Sequence, residues 1–167
     1  MKKIIACIVL VVSFSFMSAQ HMNNTKLGEI LTKNSDTIQG QAGNWRFAVN
    51  DKLFICLTDE KNNRMRIISP ITEVSNIDDK TLKNCLTANF HTALDVKYAI
   101  SDAILWSVFT HPLKELSETQ VVDAVAQVYN ANYTFGTIYS STNLSFPGAI
   151  GQEKEKPKEQ KLPKQKI

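Results

Sequence analysis

Recognisable catalytic motifs are the first thing this sequence lacks. It contains no GxGxxG and no GxxxxGK[ST], so nucleotide binding has no local support. Ser13, Ser15 and the Ser140-Ser141 pair lie outside any nucleophile elbow, because the flanking glycines are missing. No Asp-x-Asp-x-Asp-Gly loop is present to hold calcium. Cysteine is scarce. There are three, Cys7, Cys56 and Cys85, and no two have the CxxC spacing of a redox or zinc motif. Histidine is equally sparse: His21, His91 and His111 are too scattered for a zinc site, which needs clustered ligands. The acidic pairs Asp59-Glu60 and Asp78-Asp79 read as a solvated loop and a helix cap rather than a glycosidase or metal pair. No metal, cofactor or catalytic residue is therefore expected, and the chain reads as non-enzymatic.

Charge of one sign is also missing from the middle of the chain. The net charge of +3 over 167 residues comes from the ends: Lys2 and Lys3, then six Lys against three Glu in 152–167. Without them, 11 basic residues face 13 acidic ones, a net of −2. A mildly acidic body excludes a nucleic-acid surface. A long hydrophobic run is missing too. Ile4–Met17 is about 14 mostly apolar residues, short of the roughly 20 needed to span a membrane. With Lys2 and Lys3 before it and Ala19 after it, 1–19 reads as a secretory signal peptide, which predicts a periplasmic or secreted protein. No membrane span is expected after cleavage. The tail 152–167, rich in Lys, Glu and Gln with two Pro, has too little apolar surface to offset its ordering entropy and reads as disordered.

What remains, 20–137, is enough for one domain with a core. Its clearest stretch is 96–135. Val96, Tyr98 and Ile100 alternate with polar or small residues, and Ile104, Trp106 and Val108 alternate with Leu105, Ser107 and Phe109. Period two with β-branched and aromatic residues predicts a hairpin, turned at Ser101-Asp102. Val121, Val125, Val128 and Asn132 then follow helical spacing. Ser117 with Gln120 makes a capping box, and Leu116 with Val121 a hydrophobic staple. Upstream, Leu27, Ile30, Leu31 and Ile38 predict a helix over 24–38, ended by Gly40 and Gly43. Strands follow at Trp45–Val49, Leu53–Leu57 and Arg64–Ile68, with a turn at Asn50-Asp51. A second helix is expected over 78–91, capped by Asp78 or Asp79. The order α-β-β-β-α-β-β-α predicts a two-layer α+β domain with an antiparallel five-stranded sheet. Residues 138–151 read equally as a packed segment or a linker.

Three places carry a resemblance: Phe47 with Leu53–Leu57, the run Leu86-Thr87-Ala88-Asn89-Phe90, and Ile100–Trp106 running on to Pro112–Ser117 and the last helix. Together, over about 24–137, they resemble the fold shared by type III secretion chaperones and the bacterial YbjN-type family. The resemblance implies a protein partner or a homodimer, and no catalytic residue. The chaperones act in the cytoplasm, whereas 1–19 points to export. By that resemblance, Leu82, Leu86 and Phe90 of the middle helix are a candidate dimer contact. Leu105 and Phe109 are a second candidate interface, because a sheet covered on one face still exposes apolar side chains on the other. Cys56 and Cys85 admit a disulfide or, as the alternative, two separate buried thiols. Two other functional classes stay open: a small-ligand or envelope-stress sensor with a pocket between sheet and helices, and a thiol-dependent enzyme.

Overall fold

The structure, a computed structural model, describes residues 21–144. The expected signal peptide over 1–19, the tail over 152–167, and 145–151 lie outside the described residues.

The chain opens with helix α1 (Asn24–Lys33), capped by Asn23, whose side chain accepts from the Lys26 N–H at 2.9 Å. Four strands follow: β1 (Thr37–Gln41), β2 (Asn44–Val49), β3 (Lys52–Asp59) and β4 (Arg64–Glu73). A short 3₁₀ turn (Val74–Asn76) leads to α2 (Asp79–His91), then β5 (Val96–Ser101), β6 (Ile104–His111) and α3 (Glu118–Tyr133). The sheet order is β1-β2-β3-β4-β6-β5, antiparallel at each pairing. The architecture is α+β, as the alternation implied, but the sheet has six strands rather than five. The added strand, β1, takes the place of the last turn expected of the first helix. Asn34 ends α1, and Ile38 faces the core from β1 instead. β1 can bend here because Gly40 sits at φ +109°, where a Cβ would collide with the Asn44 carbonyl.

The turns follow local chemistry. Asn50 and Asp51 both have positive φ (46° and 63°), as a two-residue primed turn requires. The β5–β6 turn falls one residue later than expected, at Asp102-Ala103 (φ 51° and 60°), because Ser101 pairs with Ile104.

Each buried strand residue belongs to one face of the sheet. One row across it runs Trp45, Cys56, Ile67, Phe109 and Val96. Beside it Phe47 and Phe54 stack at 5.1 Å. Helix α3 covers this face over β4, β5 and β6, and α1 packs on α3 and β1. Leu105 (2 % exposed) and Phe109 (5 %) lie in this covered core, so the expectation that they form an open apolar face is corrected. The uncovered parity is Ile104, Trp106 and Val108. Alternation tells which residues share a face, but the helices decide which face is covered.

Asn132, which interrupts the apolar stripe of α3, is buried by design of the sheet beneath it. A bulge between Pro70 and Thr72 frees the Pro70 carbonyl, which accepts from Asn132 Nδ2 at 2.8 Å. The same amide donates to Ser69 Oγ at 2.9 Å. After α3, the segment 134–141 folds back. Ser141 N donates to the Thr92 carbonyl at 3.2 Å and Thr92 Oγ1 to the Tyr139 carbonyl at 2.7 Å.

Candidate interaction surfaces

Helix α2 differs from its neighbours in how little it buries. Asp78 caps it, accepting from Thr81 N at 2.8 Å, and the Thr81 side chain together with that N–H holds the Asp78 carboxyl below its ordinary value. Only Cys85 and Ala88 are buried on it, against seven residues of α3. Full burial of a large apolar side chain contributes about 1.5–3 kcal/mol, so two small residues anchor α2 weakly. Its second anchor is polar. Asn89 lies beside β5, an outermost strand of the sheet, and bonds its backbone as a neighbouring strand would. Tyr98 N donates to Asn89 Oδ1 at 2.7 Å, and Asn89 Nδ2 donates to the Tyr98 carbonyl at 3.1 Å. This closes part of an edge that otherwise invites strand addition. Tyr98 in turn donates its hydroxyl to the Ala131 carbonyl of α3 at 2.8 Å, and burial pushes its phenol upward.

The face of α2 turned from the core carries Leu86, 68 % exposed, and Phe90, 76 % exposed. Leu82 is half-buried beside them. The three residues expected to form one contact thus share one side of one helix.

The outer sheet face is a second surface. Ile55, Ile68 and Val108 form a row across β3, β4 and β6, with Leu57 exposed beside it.

The residues that could have carried chemistry are dispersed. Cys56 and Cys85 are free and buried. Of the two readings, separate buried thiols hold and the bridge does not: Cys56 is on β3, whereas α2 packs on β5, three strand positions away. At about 4.8 Å per strand that is about 14 Å, beyond the roughly 4.4–6.8 Å a disulfide spans. Burial pushes the Cys56 thiol up to about 12 and the Cys85 thiol up to about 11, so both are protonated at neutral pH. His111 Nδ1 lies 2.8 Å from the Pro112 carbonyl. Asp59 accepts from Asn62, and Glu60 caps α1 by accepting from Asn24 N at 2.6 Å. Among the described residues no three His, Cys, Asp or Glu group into a metal site, and no helix is long and apolar enough to cross a membrane. A cleft of about 230 Å³ opens between α3 and the β2–β3 turn, lined by Val49, Val122, Val125 and Tyr129 with Asn34 and Asn130 at its rim. Ligand pockets usually enclose about 300–1,000 Å³.

No protein-family model matches the chain, and no curated protein does. Solved structures do. A chain of the HopA1–SchA chaperone–effector complex aligns with a TM-score of 0.53 at 11 % identity, over 66 % of this chain and 90 % of that one. The Yersinia pestis type III secretion chaperone SycH, solved in complex with a stable fragment of YscM2, gives a TM-score of 0.53 at 12 % identity, over 68 % and 98 %. The chain therefore has a type III secretion chaperone-like fold, as the sequence pattern suggested. The likeness to the YbjN-type family stands on the sequence pattern alone. The comparison also corrects the expected location. Type III secretion chaperones are cytoplasmic, which conflicts with a periplasmic or secreted protein, and that expectation is withdrawn.

Proposed function

We propose that this chain is a non-enzymatic domain that binds another polypeptide or a second copy of itself, with Leu82, Leu86 and Phe90 of α2 as the self-association contact. The observation that carries this is the exposure of Leu86 and Phe90 on a helix with little hold on its own core. The chaperone-like fold supports it, since both solved neighbours come from protein–protein complexes.

The magnitudes favour a dimer of moderate strength. Two protomers meeting through α2 bury four exposed apolar side chains, Leu86 and Phe90 of each, worth about 6–12 kcal/mol at full burial. Association costs about 4–15 kcal/mol, so the two terms nearly balance. A dimer that dissociates within an accessible dilution range is expected.

The test is light scattering on the purified protein across a dilution series. A mass that falls from dimer to monomer on dilution supports the reading, and Leu86→Asp should then be monomeric throughout with an unchanged far-UV CD spectrum. A monomer at every concentration sinks the α2 contact.

The alternatives receive less support. A thiol-dependent enzyme needs an accessible thiolate, and both thiols are buried with raised pKa values. A small-ligand sensor needs a pocket between sheet and helices; the cleft beside α3 there is smaller than ligand pockets usually are, and the hollow of about 380 Å³ beside His21, Glu60 and Lys114 is lined by connecting segments instead.

A further inference from the structure

The flank of α3 nearest the β2–β3 turn carries an apolar stripe at helical spacing: Val122, Ala126, Tyr129 and Tyr133. Val122 is 38 % exposed, and Tyr129 stacks at 5.9 Å on Tyr133, which is 68 % exposed. With Val49 and Val125, the first three of these line the cleft of about 230 Å³ described above. Asn130, one turn beyond Ala126, stands at its rim. The chain returns to that rim after α3. Asn130 Nδ2 donates to the Ser141 carbonyl at 3.1 Å, while Ser141 N donates to the Thr92 carbonyl at 3.2 Å. Ser141 is thus pinned between α3 and the end of α2. The described residues end three positions later, at Leu144, which is 68 % exposed. The sequence that follows stays apolar for a short distance. Leu144, Phe146, Pro147, Ala149 and Ile150 precede the tail rich in Lys, Glu and Gln that starts at Gln152.

We propose that the cleft beside α3 is the docking site of the chain's own residues 145–150, with Phe146 seated among Val122, Val125 and Tyr129. The inference takes the packed reading of 138–151 and stands apart from the α2 contact. The reach suffices. Ala126 and Val122 lie one and two turns before Asn130, about 6 and 12 Å along the helix. Phe146 comes five residues after Ser141, and an extended chain covers at most about 17 Å in that distance. Phe146-Pro147-Gly148-Ala149 has Pro and Gly at the two central positions of a type II turn. Such a turn brings its first and last residues within about 7 Å, so Phe146 and Ala149 can enter one hollow together. A phenyl ring there also meets Tyr129, and aromatic pairs add to plain burial. The size of the cleft selects the occupant. Two or three buried side chains scarcely offset the freedom that a separate partner or a second copy loses on binding. A segment tethered at Ser141 loses far less, because its effective concentration is on the order of mM. The exposed pair Leu86 and Phe90 of α2 is the competing seat, since Ser141 also touches the end of that helix.

The test is disulfide trapping in the full chain with Cys7→Ser as background. Cys56 and Cys85 are buried, so an introduced pair reacts alone. Ala126→Cys with Ser145→Cys should close within one chain under a mild oxidant, read by peptide mass spectrometry. Adding Phe146→Ser and Ile150→Ser should slow that closure at least about 10-fold, because only the tether then holds the segment near the cleft. Val122→Glu should slow it as much from the other side of the contact. Leu86→Cys with Ser145→Cys should close at least about 10-fold more slowly than the Ala126 pair. Near-UV CD checks that each variant is folded. If Val122→Glu is not, the Phe146 and Ile150 changes carry the test, since they lie outside the described fold. An unchanged rate without Phe146 and Ile150 overturns the proposal. So does faster closure on Leu86, which would seat the segment on α2, and so do bridges between two chains, which would seat a second copy in the cleft. Light scattering on the background protein reads the α2 dimer separately, so either reading can fail without the other.

Discussion

Asn89 does for the edge of the sheet what a further strand would otherwise do. Its amide offers one acceptor and one donor, and the Tyr98 N–H and C=O take both. Replacing it by alanine leaves two backbone groups in a part-buried place without partners. Asn89→Ala is expected to lower stability by about 1–3 kcal/mol, read as a lower urea midpoint at unchanged slope. It should also raise the rate of aggregation on heating, because the β5 edge is opened. A midpoint equal to the parent protein's would show that the bonds contribute nothing. Asn89 was legible as part of a leucine–asparagine pattern, but its role was not. Nothing local in the sequence says that a polar side chain at the end of one helix meets a strand nine residues on. Asn132 is a similar case: a break in an apolar stripe on paper, and the partner of a bulge carbonyl in the fold.

At the scale of elements, the signals that proved readable are those whose physics is local. Helix α3 begins where its capping box says it should. Gln120 N donates to Ser117 Oγ at 3.2 Å, and Ser117 N donates to Gln120 Oε1 at 2.8 Å. Ser117→Ala should cost about 1 kcal/mol, measured as a fall in urea midpoint, with Ser117→Asp recovering most of it. An unchanged midpoint for the alanine variant would mean that α3 is held entirely by its buried face. Strand β1 was the element that local reading missed. Its sequence, Thr37–Gln41, presents one apolar side chain, Ile38, and four exposed positions. An edge strand with one inward residue has no period to detect, and Ile38 also fits the spacing of the helix before it.

The whole molecule separates its two candidate surfaces. Helix α2 lies beside β5 at one side of the sheet, with Leu86 and Phe90 exposed on it. Ile55, Leu57, Ile68 and Val108 lie on β3, β4 and β6, on the face opposite the core. Residues well apart with no shared partner contribute additively to within about 0.3–0.5 kcal/mol. Leu57→Glu should therefore leave the dimer mass unchanged in light scattering. Loss of the dimer would mean that both sets of residues belong to one continuous site.

The sequence by itself determined the α+β class, five of the six strands, three helices and the caps of the last two, the tight turn at Asn50-Asp51, and the fold likeness that the solved structures share; the cap of α1 is Asn23 rather than the Asn24 that its sequence suggested. These rest on period, capping and turn chemistry, which act over a few residues. Only the tertiary structure decided which face of the sheet is covered, that Leu105 and Phe109 point into the core, that Cys56 and Cys85 are free and far apart in the sheet order, and that β1 is a strand. Each of those depends on which elements meet after the chain has closed. Period two is the same whichever face is buried, and a cysteine's neighbours are set by strand order rather than by distance along the chain.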